Sequence, residues 1–99
     1  MKKEYIYYTY ILTNKRNGIL YIGVTNNLFS RALQHKLKQN KNSFTAKHNI
    51  DKLVYYEEYQ NIQDAIVREK KLKRHKRQWK IELIEKDNPA WRDIAKDME

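Results

Sequence analysis

Ninety-nine residues suffice for one domain, spanning 1–99, with a small core. An apolar fraction of 40%, two glycines and one proline argue against long disordered segments, and the lack of cysteine excludes disulfides and thiolate metal sites. A formal net charge of +9, with a pI near 9.7, points to a polyanionic partner, nucleic acid before anionic lipid, or else serves solubility alone.

No apolar run approaches the roughly 20 residues of a membrane span, so no membrane association is expected. Met1-Lys2-Lys3-Glu4 begins with positive charge but no apolar stretch follows it, which argues against a signal peptide. A cysteine-free chain with these features agrees with a cytoplasmic location.

Residues 5–13 are β-branched and aromatic and predict a strand, with Tyr8, Tyr10 and Leu12 on one face. Asn17-Gly18 predicts a hairpin, and Ile19 to Thr25 the return strand. Asn26 or Asn27 caps a helix running to about Gln39, with Leu28, Phe29, Ala32, Leu33 and Leu37 as its apolar face and Arg31 and His35 stacked at one edge. Asn40 to Ile50 reads as a loop and Leu53 to Tyr59 as a third strand. Asn61 and Asp64 resemble a capping box opening a helix from Ile62 to about Arg74. A further helix covers Lys76 to Lys86 and ends at Asn88-Pro89. The tail from Ala90 to Glu99 adds one turn, with Trp91 and Ile94 packing back. The expected class is α+β, a meander-like three-stranded antiparallel sheet flanked by helices in the order β-β-α-β-α-α.

Several residues on this frame have chemistry to offer. Glu69 falls on the inner face of its helix with Ile62, Ala65, Ile66 and Leu72, while Arg68, Lys70, Lys71 and Lys73 project to other sides. A carboxylate so placed needs a cation. It is either a Mg²⁺ ligand, since that ion takes few carboxylates and keeps several waters, or a structural partner of Arg31 or a lysine. Arg31 offers a planar fork for phosphate oxygens, against the plainer reading of a surface arginine. His35 is a phosphate donor or proton shuttle, or else a half-buried histidine at the core edge. Tyr10 and Tyr21 lie on the paired strands of the hairpin, and Gly23 permits close approach at the end of the second strand. A phenol is a poor base unless a cation lowers its pKa. Tyr5, Tyr7, Tyr55, Tyr56 and Tyr59 need no functional account.

Eight of the thirteen residues from Arg68 to Lys80 are Lys or Arg. Lys70, Lys73, Arg74, Lys76 and Arg77 are candidates for a phosphate-backbone track, or form a solvated face. Such a track positions nucleic acid without selecting its sequence.

Tyr8-Thr9-Tyr10, the intact Tyr21-Ile22-Gly23, Arg31 ten residues after Tyr21, His35 fourteen after it, and Glu69 in its Ala65-Ile66-Val67-Arg68-Glu69 setting together resemble the GIY-YIG nuclease family. The resemblance covers about residues 5–91. The closing segment Trp79 to Ile84, then Asn88-Pro89-Ala90-Trp91, is similar to that of small stand-alone bacterial members. The first motif keeps only its tyrosine, and Val24 stands where some members have lysine. Asn88 is the candidate for the family's late asparagine.

The resemblance implies an endonuclease cleaving DNA phosphodiesters with one divalent ion, Mg²⁺, and a catalytic set of Tyr10, Tyr21, Arg31, His35 and Glu69, with Glu69 the metal ligand. It implies that the target is chosen by nucleic-acid shape or by a partner protein. The alternatives are a non-catalytic DNA- or RNA-binding module that keeps the fold, and an RNA- or ribosome-associated protein suggested by charge alone.

Overall fold

The computed structural model describes residues 5–38 and 40–98. Met1–Glu4, Gln39, where the first helix was expected to end, and Glu99, the expected end of the tail, lie outside the described residues. Three strands, β1 (Tyr7–Thr13), β2 (Leu20–Thr25) and β3 (Lys52–Tyr59), form one antiparallel sheet. Four α-helices accompany it: α1 (Leu28–Lys36), α2 (Phe44–Lys47), α3 (Ile62–Arg74) and α4 (Arg77–Asp87). A 3₁₀ helix, Ile94–Met98, follows them.

The strand order is β2-β1-β3, so the sheet is not the meander the sequence suggested. β3 returns along the free edge of β1, and β1 becomes the central strand. This explains the burial of β1, where Thr9 to Thr13 are all buried. The hairpin turns where expected, with Asn17 in the left-handed region at φ 56°. Asn accepts that conformation more readily than most residues. Gly18 is needed for room, because a Cβ there would lie 2.0 Å from Asn14 Oδ1.

Two apolar layers sandwich the sheet. Tyr10, Leu12 and Leu53 pack with Leu28 and Ala32 of α1, with Ile50, and with Ala95 of the 3₁₀ helix. On the other face Ile11, Ile22, Val54 and Tyr55 pack with Leu72 of α3, Ile84 of α4 and Trp91. Trp91 and Ile94 both pack back, but onto opposite layers, so the tail wraps one edge of the sheet. Lys36 of α1 pairs with the Asp93 carboxylate, whose Oδ1 also accepts from Leu53 N and Ala95 N at 3.1 Å each.

Three local expectations change, and one choice between two residues is settled. α1 ends at Lys36, and Phe29, Leu33 and Leu37 lie exposed while only Leu28 and Ala32 are buried. Nine residues of helix against a small sheet cover fewer positions than the wheel offered. Asn27, rather than Asn26, caps it, accepting from Ser30 N at 3.0 Å. The 40–50 segment is not wholly loop, since Ser43 caps the one-turn helix α2 through Ala46 N at 3.2 Å. Asn61 caps α3 through Gln63 N at 2.8 Å, and Asp64 makes no return bond among the described residues, so no capping box forms.

Thr9 Oγ1 donates to Ala65 O of α3 at 2.8 Å in the buried interior, fixing the helix on the central strand. Arg68 of α3 grips Glu57 of β3 in a two-pronged pair, Nε to Oε1 at 2.8 Å and Nη2 to Oε2 at 2.9 Å. Tyr55 and Tyr59 donate to the same carboxylate. Burial alone would raise the Glu57 pKa, but the bonds from Arg68, Tyr55 and Tyr59 outweigh it and hold the group below its usual range. A carboxylate lowered by folding adds stability above its unfolded pKa, near 4.5, and loses it as pH falls through the folded value. The denaturation midpoint should therefore drop as pH falls below about 4.5. Glu57→Gln should be less stable at neutral pH and show a shallower acid decline. An unchanged acid limb in that variant would assign the pH dependence to other carboxylates.

Candidate active site

Tyr10 is 1% exposed, and its ring lies over Gly23, its register partner on β2. A Cβ at Gly23 would fall 2.4 Å from the Tyr10 hydroxyl oxygen, so the glycine gives the phenol its place. Tyr21, two residues earlier on β2, points to the same face and is half-buried. Arg31 and His35 rise from α1, one turn apart as the sequence predicted, Arg31 exposed and His35 half-buried. The His35 ring packs against both tyrosines, 6.5 Å from Tyr10 and 5.8 Å from Tyr21 between ring centres.

Glu69 comes from α3, across the sheet, and its charge reaches the Tyr10 phenol. Its side chain is 21% exposed. The five residues named from sequence thus come together around the Tyr10 phenol, midway along the β1–β2 pair. The expected disposition of cations around Glu69 is only partly right. Lys73, one turn on, bends back to pair with Glu69 at 3.2 Å instead of pointing away.

The electrostatics assign different capacities to these groups. Burial, followed by the neighbouring Tyr21, pushes Tyr10 up to about 12, and Glu69 adds to the rise while Arg31 opposes it. Tyr10 therefore keeps its proton near neutral pH. His35 is shifted the other way: burial and then the Arg31 charge lower it, so the imidazole is neutral at pH 7. Its Nδ1 shares a hydrogen bond with Thr45 Oγ1 at 3.0 Å, and Thr45 Oγ1 in turn meets Ser43 Oγ at 3.2 Å. The sequence reading missed this buttress because it took the segment for loop. The available signal was Ser43, a capping residue three before Ala46.

Among the described residues no cluster of three or more His, Cys, Asp or Glu could hold a metal. A lone carboxylate opposite two phenols and a guanidinium fits a hard ion that keeps most of its waters, and it does not fit zinc, which wants nitrogen or sulfur ligands. Among the described residues Glu69 pairs with the exposed Lys73 (55% exposed), a weak partner that an ion could displace.

Asn88 is not at this site. It is buried, donates Nδ2 to Val54 O at 3.1 Å and Arg92 O at 2.8 Å, and accepts from Arg92 N at 3.0 Å. The register passes from Ile11↔Tyr55 to Leu12↔Leu53, which leaves Val54 as the extra residue of a β-bulge. Asn88 supplies the donor that a ladder partner would have given. Asn88→Ala should cost about 1–3 kcal/mol in urea denaturation, since it orphans buried backbone groups. The activity per folded molecule should stay unchanged. A folded Asn88→Ala protein that has lost activity would restore the residue to the site.

The basic segment is also partly engaged. Arg68 is held by Glu57 and lies over Trp79, and Arg77 Nη2 donates to the hairpin carbonyls of Asn17 at 2.5 Å and Gly18 at 2.6 Å. Lys70 and Arg74 form an exposed row beside Glu69 and Lys73, with Lys76 beyond it.

No curated protein and no solved structure matches the chain significantly. The sequence pattern of the GIY-YIG catalytic domain matches residues 6–82, which takes in all three strands, the hairpin tyrosines, Arg31, His35 and Glu69. The chain belongs to the GIY-YIG family of nuclease domains.

Proposed function

We propose that the protein is a Mg²⁺-dependent endonuclease that cleaves DNA in preference to RNA, choosing its target by the shape of the nucleic acid. The observation that carries this reading is the gathering of Tyr10, Tyr21, Arg31, His35 and Glu69 from four separate elements around one point. Arg31, exposed beside the tyrosines, grips the phosphate and opposes the charge that builds in the transition state. Tyr21 orients the attacking water. Tyr10 keeps its proton and donates a hydrogen bond. His35 is neutral and held by Thr45, so it can take a proton from the water side. Glu69 is the residue that would hold the metal. A divalent ion bound there supplies positive charge to the phosphate and to the leaving oxygen.

Cleavage assays over single-stranded, duplex, bulged and branched DNA and structured RNA, with and without Mg²⁺, test the reading. Metal-dependent cutting of at least one DNA form supports it. Binding without cleavage at any divalent ion would make the protein a nucleic-acid-binding module with a nuclease fold.

The exposed cations beside the site are the proposed track. Replacing Lys70, Arg74 and Lys76 with glutamine should flatten the slope of log affinity against log salt by about 3, one per phosphate contact. Arg77→Gln should change it less, because that side chain already serves the hairpin. An unchanged slope in the triple variant would move the binding face to the Lys36–Lys41 side.

A further inference from the structure

A groove of about 440 Å³ opens directly from the Tyr21, Arg31 and His35 end of the site. Its size lies in the range of small-ligand clefts, ~300–1,000 Å³. Its outer wall is Gln34, Asn40, Ser43 and Phe44. Among the described residues no carboxylate lines it, while Arg31 and Lys38 do, so it suits an anionic ligand. Three other clefts on the surface carry acids: Asp87 and Asp97 in one, Glu58 in the other two.

Phe44 is 53% exposed and lines this groove. It is also firmly set. It opens the capped turn of α2, the His48 ring backs it at 4.4 Å between centres, and the turn ends on the fully buried Ile50 through Ile50 N to Thr45 O at 2.9 Å. The same turn carries Thr45, which holds His35.

We infer that this groove receives an unpaired nucleobase adjoining the scissile phosphate, stacked on Phe44 with its edge toward Gln34, Asn40 and Ser43. An inference about the neighbouring nucleotide rests on the nuclease reading of the site above. The two amides and the hydroxyl offer both donors and acceptors, which suit a base edge. A base inside a duplex keeps its faces against its neighbours and presents none to a protein ring, so the occupant must be single-stranded, bulged or flipped out. The substrate class is accordingly DNA with a displaced nucleotide next to the cut.

The test uses the full chain in chelator, so that no strand is cut. One probe is a duplex with a single bulged 2-aminopurine, and the other is the same duplex with that base paired. The wild-type protein should quench the bulged probe and bind it more tightly than the paired one. Phe44→Ala should abolish the quenching and weaken binding of the bulged probe by about 5- to 140-fold, the range of base–aromatic stacking, while leaving the paired duplex unaffected. Phe44→Trp should preserve both effects. Equal affinity of Phe44→Ala and wild type for the bulged probe, or equal weakening on both probes, overturns the inference.

Its failure is separable from failure of the nuclease reading. Cleavage that needs Glu69 but ignores Phe44 overturns the base site alone. Selective, Phe44-dependent binding without cleavage at any divalent ion leaves the base site standing on a non-catalytic protein.

Discussion

Glu69→Gln is expected to lower Mg²⁺-dependent cleavage by at least ~10²-fold, the scale of losing one electrostatic contact to a transition state. The substitution keeps the size and polarity of the side chain and removes only its charge. Its folded-state partner is an exposed lysine one turn away, so the stability change should stay within about 0.5 kcal/mol. Nucleic-acid affinity should hold or rise, because a negative charge near the phosphate is gone. Single-turnover cleavage, urea denaturation and binding in chelator measure the three quantities. Cleavage at the wild-type rate would leave Glu69 as the ion-pair partner of Lys73 and nothing more. The non-catalytic reading would then become the better one.

Gly23→Ala should damage the site from a different direction. The new methyl group would sit 2.4 Å from the Tyr10 oxygen and 2.6 Å from Cζ. Tyr10 is fully packed, so either the edge strand shifts or the ring leaves its position. Overpacking of this kind costs about 1–3 kcal/mol, and an ångström of displacement at a reacting centre can cost ~10²-fold in rate. Tyr10→Phe should not relieve the clash, because the Cζ contact remains. Tyr10→Leu together with Gly23→Ala should regain stability without regaining cleavage. A Gly23→Ala protein with wild-type stability and rate would mean that the contact is soft and Gly23 is not the seat of Tyr10.

The convergence of the five candidate residues was legible in the sequence because they sit on strongly patterned elements. Tyr10 and Tyr21 lie on strands marked by alternation and an Asn-Gly turn, and Arg31 and His35 on a capped helix. Glu69 could be singled out because an acid on an apolar helical face is conspicuous. What stayed hidden was whatever depends on contacts between distant segments. The position of β1 at the centre follows from where β3 pairs, and periodicity carries no such information. The Val54 bulge and its Asn88 donor belong to the same class. The Lys73–Glu69 and Arg77–hairpin contacts depend on rotamers of long side chains, which a helical wheel leaves free. α2 was missed because one turn gives too short a window for periodicity, although its cap was visible.

The hydroxyl of Thr9 on the Ala65 carbonyl bears on what can fit this protein. Thr9 and Tyr10 are neighbours on one strand and point to opposite faces. One carries the tyrosine of the cluster, and the other fixes the helix on which Glu69 lies a single turn beyond Ala65. The spacing between the two sides of the cluster is therefore ruled by the pleat of a buried strand, not by a hinge. Such a gauge does not widen without shearing the sheet. On the nuclease reading, a nucleic acid entering it must do the yielding, and flexible or already distorted stretches should meet the smaller elastic resistance.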